Sequence, residues 1–497
     1  MEYISTRGNY RKVSSAEAIS LGMVPDGGLF IPEMIPQIRL EEILEFKDSS
    51  YQELAVWIFE KYLSDFSKKE IKDSVAAAYK EESFPSKEKT PLLKINENTY
   101  ILELWHGPTA AFKDMALQIL PHLLLKSVKK LNIKKEIVIL VATSGDTGKA
   151  ALEGFKDVDG VKIIVFYPED GVSRVQEDQM KTTTGKNTSV VSIKGNFDDC
   201  QTAVKNIFAD KEFKAELEAD NYQFSSANSI NWGRLLPQIV YYFQAYLELL
   251  KDKKIKAGEK INITVPTGNF GNILAAYYAF KMGLPVNKFI CASNDNKVLS
   301  DFLETGVYNI NRDFKKTISP SMDILISSNL ERFLFEMNGH DSGKINKWYQ
   351  DLKTDKSFKI DEETFTKIRE MFSGEFSSEA EARASIKQTY QQYNYLLDPH
   401  TAVGVDSLNK YRQQSGDQKT AVVASTANPY KFSRAVLESL KEEKLEQDEY
   451  RIIEELSSLT ETEVHRGLIG LEEMENRHHH SCDINSVKSK VAKILKI

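Results

Sequence analysis

Ile261-Asn262-Ile263-Thr264-Val265-Pro266-Thr267-Gly268-Asn269-Phe270-Gly271-Asn272 is the stretch whose reading decides the fold. It opens as a short β-branched run. It then crosses a loop of small and polar residues and enters a helix-forming run over 273–280. A strand apolar on both faces, followed by a helix, is the repeat of a parallel sheet covered on two sides. Five further runs read the same way, at 137–141, 161–167, 189–193, 289–292 and 420–424. The prediction is an α/β chain built on parallel sheets. In such folds ligands sit at the carboxyl ends of the strands. Three polar loops follow strands here: Thr143-Ser144-Gly145-Asp146-Thr147-Gly148, the 266–272 loop, and Ser425-Thr426-Ala427-Asn428-Pro429. They are expected to converge at one end of the sheets.

Composition narrows the function. Lys and Arg number 65 against 72 Asp and Glu, a formal charge of −7. That mild acidity argues against a nucleic-acid binder, which carries a basic stripe. No apolar run reaches the roughly 20 residues of a membrane helix. The opening Met-Glu-Tyr-Ile-Ser-Thr-Arg-Gly has no basic region followed by an apolar one, so no secretory signal is expected. Cys200, Cys291 and Cys482 are sparse and odd in number, which fits a reducing compartment such as the cytoplasm. The first hundred residues read as helical, with amphipathic runs at 40–66 and 69–82. The charged segment 341–384 reads as a surface helical insertion.

Three constellations carry chemistry. The Gly268-Asn269-Phe270-Gly271-Asn272 loop has the character of a phosphate cradle, since glycines allow close approach and a helix start offers free N–H groups. A plain strand-to-helix turn is the alternative. The 143–148 loop fails as a nucleotide P-loop: Thr143 stands where Gly is required, and Ala150 where Ser or Thr should be. It still suits a small carboxylate or phosphate. Ser144 or Asp146 as a helix cap is compatible with that reading. In His106-Gly107-Pro108-Thr109-Ala110-Ala111-Phe112-Lys113-Asp114, Thr109 is expected to cap a helix with Lys113 in its first turn. Helix dipole and burial would both disfavour the ammonium there and suit Lys113 to a Schiff base. The alternative is an exposed lysine lying along the surface. His400 reads either as a loop-anchoring hydrogen-bond residue or as a site contact. The run Arg477-His478-His479-His480 with Cys482 is not expected to hold a metal, because three adjacent histidines cannot all face one ion.

At these residues a family resemblance emerges. Leu102-Glu103-Leu104-Trp105-His106-Gly107-Pro108-Thr109, through Phe112-Lys113-Asp114, resembles the pyridoxal-phosphate motif of the threonine synthase family. The likeness continues in order through the 143–148 loop, Ala227-Asn228-Ser229-Ile230-Asn231-Trp232-Gly233-Arg234 and the 266–272 loop. Asp398-Pro399-His400-Thr401-Ala402-Val403-Gly404 and the segment 425–431 complete it. Tyr3-Ile4-Ser5-Thr6-Arg7-Gly8 and Asp26-Gly27-Gly28-Leu29 resemble the N-terminal domain of the longer bacterial and fungal type.

The resemblance implies a pyridoxal-phosphate fold-type II enzyme, similar to tryptophan synthase β, with two parallel-sheet domains and an N-terminal mainly helical domain. The expected division is 1–99 for the helical domain, 100–131 with 223–497 for the large cofactor-binding domain, and 132–222 for a smaller mobile α/β domain. The implied reaction is O-phospho-L-homoserine plus water to L-threonine plus phosphate, by γ-elimination and β-addition, the last step of threonine biosynthesis. Lys113 is carried over as the Schiff-base lysine. Gly268, Asn269, Phe270, Gly271 and Asn272 are carried over as the cradle of the cofactor phosphate, and Thr426 as the contact to the pyridine nitrogen. Thr143, Ser144, Gly145 and Thr147 match the loop that receives the substrate carboxylate, with Asp146 on the cofactor side. Asn228, Ser229 and Arg234 match the holders of the substrate phosphate. One departure stands out: Asn428 replaces a histidine common in the family. The expected partner is a small-molecule substrate, with no nucleic acid, membrane or metal, and the chain is a monomer or homodimer. The alternatives are another pyridoxal-phosphate elimination or replacement enzyme, such as a threonine dehydratase, and a non-catalytic phosphate-binding paralogue.

Overall fold

The computed structural model describes residues 1–169 and 171–497. Its larger sheet has six strands in the order Phe372–Phe376, Val286–Ser293, Ile261–Pro266, Ala421–Ser425, Thr99–Glu103 and Leu92–Asn96. All neighbours are parallel except the last pair, which is antiparallel. The smaller sheet is all parallel, in the order His480–Asp483, Thr188–Lys194, Val161–Pro168, Glu136–Ala142 and Tyr222–Ser225. The strands expected from the β-branched runs are therefore present. Every residue of Ile261–Pro266 is buried, as a central strand covered on both faces requires. Thr264 lies opposite Ile290 on one side and Val423 on the other. This register brings the ends Pro266 and Ser425 to the same edge, where their loops meet.

The buried helix Trp232–Lys251 forms the spine of the molecule. The Trp232 ring meets Tyr3, Tyr62 and Tyr278 at centroid distances of 5.4, 5.4 and 5.6 Å. The N-terminal region is thereby clamped onto the spine by aromatic burial, which carries much of the packing energy in such cores. That region is broken more finely than its periodicity predicts, into helices Leu40–Leu44, Tyr51–Tyr62 and Lys68–Ala78. The reason is local. Ser50 with Glu53, and Ser67 with Glu70, each form a reciprocal capping box that starts a new helix.

Two other expectations need correction. The segment 341–384 is not only a surface helical insertion. It contains the edge strand Phe372–Phe376 of the larger sheet, and Phe372 stacks on Phe289 at 4.9 Å. The flanking charged helices masked this five-residue strand. The smaller sheet also reaches beyond 132–222. Tyr222–Ser225 and the C-terminal His480–Asp483 both join it, and Val487, Val491 and Leu495 pack with Val138, Leu140 and Phe166. A short polar run such as His480-Ser481-Cys482-Asp483 gives no strand signal of its own. No helix is long and apolar enough to cross a membrane.

Candidate active site

Backbone pairing fixes Lys113 first. Phe112 N–H donates to the Thr426 carbonyl at 2.9 Å, and Asn428 N–H to the Ala110 carbonyl at 3.0 Å. The lysine loop is thus sewn to the 425–428 loop. Lys113 stands at the N-cap position of the short helix Asp114–Leu117. Thr109 does not cap that helix. Its N–H and hydroxyl instead donate to the Asp114 carboxylate at 2.8 and 2.7 Å, which closes the loop before the helix begins. Burial raises the Asp114 carboxyl to about 6, against the lowering effect of those bonds.

Lys113 is only 8% exposed, so it does not lie along the surface. Its Nζ is 3.2 Å from Asp146 Oδ2 and 3.5 Å from Ser321 Oγ. Burial pushes the amine below its ordinary basicity. Asp146 opposes this, while the charges of Lys431 and Arg234 add to it.

Asp146 opens the helix Asp146–Phe155. Gly145 before it has φ +126°, and a Cβ there would lie 2.5 Å from the Gln176 side chain, so only glycine fits. The cap expected from Ser144 or Asp146 is absent. Thr143 Oγ1 does that work, accepting the N–H groups of Gly145 and Gly148 at 3.0 and 2.9 Å. Asp146 Oδ1 receives Lys431 Nζ at 2.8 Å and Gln176 Nε2 at 3.0 Å. Burial works to raise this carboxyl, but Lys431 and Lys113 outweigh it and hold Asp146 well below the usual carboxylate range. Among the described residues the Ser144 and Thr147 hydroxyls make no hydrogen bond within the chain, and both side chains are half-buried.

The 268–272 loop is built for close approach. A Cβ on Gly268 would lie 2.6 Å from the Ser321 carbonyl oxygen. Phe270 takes a left-handed φ of +58°, and its ring packs on Phe333 at 5.0 Å. The helix Gly271–Met282 therefore starts with no side-chain cap, and its first N–H groups have no partner within the helix. Asn272 Oδ1 accepts the hydroxyls of Tyr241 and Tyr242. Its buried Nδ2 has no partner among the described residues. An uncapped helix start with an orphan amide donor fits an anion such as a cofactor phosphate.

Arg234 lies in the first turn of Trp232–Lys251 and is 3% exposed. Its Nη1 donates to the Ala227 carbonyl at 2.6 Å. Its Nε has no partner among the described residues, and no carboxylate pairs with it there. Burial alone lowers its pKa to about 10. Beside it, Ser229 Oγ is 3.3 Å from Ser328 Oγ, and Ser328 Oγ donates to Asn269 Oδ1 at 3.1 Å. Asn329 Nδ2 bonds the carbonyls of Ser229 and Asn269 at 3.3 and 3.0 Å. Asn228, half-buried, lies on the same loop.

Several site residues escaped the sequence reading. Ser321, Gln176, Ser328 and Asn329 sit outside every quoted motif, and nothing local marks them. Lys431 was visible in the 425–431 segment, between Tyr430 and Phe432, as a lysine in apolar company. Its side chain is 0% exposed. His400 anchors a loop: its ring is 2.8 Å from Asp398 Oδ1, and its Nε2 accepts Ser321 N–H at 3.2 Å. Asn428 Oδ1 accepts Tyr430 N–H at 3.0 Å and so caps the turn Pro429–Phe432. The Thr426 hydroxyl makes no hydrogen bond within the described residues. Among those residues no group of three or more metal-ligating side chains occurs.

Known proteins match this arrangement throughout. The family model "Threonine synthase N terminus" matches residues 2–79, "Pyridoxal-phosphate dependent enzyme" residues 84–426, and "Threonine synthase, C-terminal" residues 401–491. The threonine synthase of Saccharomyces cerevisiae is 40% identical, over 88% of this chain and 89% of its own.

This chain belongs to the threonine synthase family.

A pyridoxal-phosphate-bound threonine synthase from Brucella melitensis superposes with a TM-score of 0.88 at 36% identity, covering 100% of both chains. The fold is therefore the fold type II expected of this family. "Threonine synthase-like 1" of Pongo abelii is 38% identical over 97% of this chain, which spans 66% of that relative's length. The family's cofactor is pyridoxal phosphate, and the residues here fit it. The uncapped helix start at Gly271 suits a phosphate, the Thr426 hydroxyl makes no other bond among the described residues, and the Lys113 amine is buried beside Asp146.

Proposed function

We propose that this chain is a threonine synthase, converting O-phospho-L-homoserine and water to L-threonine and phosphate. The observation that carries the reading is Arg234, a buried guanidinium with an unpartnered Nε and no carboxylate among the described residues, in the same site as an uncapped helix start. That combination suits two phosphates, one on the cofactor and one on the substrate. A dehydratase has only the first to hold. The charge count agrees. Lys113, Lys431 and Arg234 are buried basic side chains grouped around the Asp146 carboxylate, while Asp114 is engaged by Thr109.

Lys113 would carry pyridoxal phosphate as a Schiff base. The phosphate would sit against Gly268, Asn269, Phe270, Gly271 and Asn272, with Asp146 beside Lys113 and Thr426 at the pyridine nitrogen. When bound, the cofactor supplies a sink for negative charge on the substrate carbon next to the amine. The protein does the rest. Lys113 Nζ, with its lowered basicity, takes up the proton from that carbon, a role typically worth about 10²–10⁴-fold. Arg234 holds the departing phosphate with a planar fork, which a point-charge ammonium would not reproduce. Asn228 and Ser229 complete that grip. Thr143 shapes the turn in which Ser144, Gly145 and Thr147 receive the substrate carboxylate.

Cys200, Cys291 and Cys482 are free thiols, which supports a cytoplasmic setting. The chain is read as a monomer or homodimer. The 132–222 segment, with its added strands, is read as the smaller unit that closes over the substrate. A non-catalytic paralogue is the second reading, the chain being about as similar to proteins named threonine synthase-like 1 as to the yeast threonine synthase. The deciding experiment incubates the full chain and cofactor with O-phospho-L-homoserine and measures phosphate and threonine together. Equal release of both is expected. Phosphate without threonine would overturn the assignment in favour of elimination, and neither product would favour the paralogue.

A further inference from the structure

We propose that Lys431 is a positioning residue for Lys113: it holds the Asp146 carboxylate in place and takes up one of its oxygens, leaving Lys113 the other. The inference rests on the reading of Lys113 as the cofactor-bearing residue. Its basis is the division of one carboxylate between two ammonium groups. Asp146 Oδ1 is taken by Lys431 at 2.8 Å and by Gln176 at 3.0 Å. Only Oδ2 is left for Lys113, at the longer 3.2 Å, with Ser321 Oγ at 3.4 Å. Lys431 has a second fixed acceptor, the Thr109 carbonyl at 3.0 Å, and no exposed side-chain surface. A buried ammonium persists only where it is paired and hydrogen-bonded. Lys431 meets both conditions. Lys113 has the weaker share of the same charge.

The three residues also come from three parts of the fold. Asp146 opens a helix of the smaller sheet, Lys431 lies in the turn Pro429–Phe432 after the Ala421–Ser425 strand, and Lys113 precedes Asp114–Leu117. The Lys431–Asp146 bond therefore ties the carboxylate of one sheet to the other at the point where Lys113 works. The charged groups facing Lys113 are Asp146, Lys431 and Arg234, and His400 faces Asp146 from Pro399–Ser415. His400 Nε2 lies 3.2 Å from the Ser321 N–H, which fixes the ring beside the carboxylate. Asp114, next to Lys113 and bonded by Thr109, is the other carboxylate that feels Lys431.

The test is competitive acetylation of the full chain with acetic anhydride across a pH series, reading Lys113 by mass spectrometry. Lys431→Met removes a cation and frees more of Asp146 for Lys113, so the midpoint of Lys113 reactivity should rise by about 1 pH unit or more. Lys431→Arg keeps the charge and should stay near the parent value. Asp146→Asn should move the midpoint down, and the double variant Lys431→Met with Asp146→Asn should return most of the way. A Lys431→Met midpoint that is unmoved in a folded protein overturns the proposal, because a purely structural lysine would lower thermal stability and leave the midpoint alone. If Lys431→Met does not fold, Asp146→Asn decides, and an unmoved or raised midpoint overturns the proposal. Borohydride reduction of the cofactor-loaded chain separates the two readings. A pyridoxyl mass on another lysine defeats the assignment of Lys113. The same mass on Lys113 with fixed midpoints defeats only the role of Lys431.

Discussion

Two helix starts lie near Lys113, one by way of Ser321 and one by way of Arg234, and they are suited to anions by opposite means. The Gly271–Met282 start uses uncapped backbone N–H groups and a glycine that admits the Ser321 carbonyl to close range. It carries no formal charge. The Trp232–Lys251 start uses Arg234, a full charge buried without a carboxylate among the described residues. Oriented amides are neutral and fixed before the ligand arrives. A buried guanidinium is a strained arrangement until an anion reaches it. The first design suits a group that stays and the second a group that comes and goes. In a threonine synthase those would be the cofactor phosphate and the substrate phosphate.

Breaking both sides at once is the strongest test. Lys113→Ala removes the amine itself. Turnover should fall by at least about 10²–10⁴-fold, the usual worth of a positioned base, and the visible absorption of the bound cofactor should change. Phosphate release and an absorption spectrum check this together. Arg234→Lys then strikes one side only. Charge is kept and the fork is lost, so kcat/KM for phospho-homoserine should drop by roughly 10–100-fold, about the worth of a charge-assisted bond or two. Cofactor affinity should hold. Equal damage to both would erase the distinction between the starts.

Gly268→Ala strikes the other side. Its Cβ would sit 2.6 Å from the Ser321 carbonyl oxygen, so the Ser321 segment must move. Overpacking of this kind costs about 1–3 kcal/mol. Titration of the apo chain with pyridoxal phosphate should show weaker binding by about tenfold, while the phospho-homoserine KM at saturating cofactor changes less.

Most of this comparison was legible in the sequence, but unevenly. The runs ending at Val141, Val265 and Ala424 announced strands because parallel strands are apolar on both faces, and the loops after them followed from that. Lys113, Arg234 and the 268–272 loop lie inside contiguous motifs. Ser321, Gln176 and Asn329 do not. Each reaches the site by a fold contact across a long sequence distance, and a serine or an amide in a polar stretch looks like any other. The edge strand Phe372–Phe376 was hidden for a related reason. Its pairing with Val286–Ser293 and the packing of Phe372 on Phe289 are long-range contacts that its charged surroundings do not signal.

The mildest prediction concerns a region that takes part in neither start. His465 packs edge-on to Trp105 at 6.4 Å, and its Nδ1 accepts Gly467 N–H at 3.0 Å. Burial, with His106, Arg466 and Lys431 nearby, lowers its pKa to about 3. A histidine lowered in this way binds its proton more readily when unfolded. Its contribution to stability is therefore complete above the unfolded value near 6.5 and declines as the pH falls from there toward 3. The slope approaches about 1.4 kcal/mol per pH unit inside that window. His465→Gln can keep the acceptor for Gly467 and removes the titration. Urea unfolding at pH 5 and pH 7 should show a smaller gap in this variant than in the parent, with the binding of both phosphates unchanged at pH 7. A change in either affinity at pH 7 would tie this histidine to one of the two helix starts, and the contrast between them would have to be redrawn to include the Trp105 side of the site.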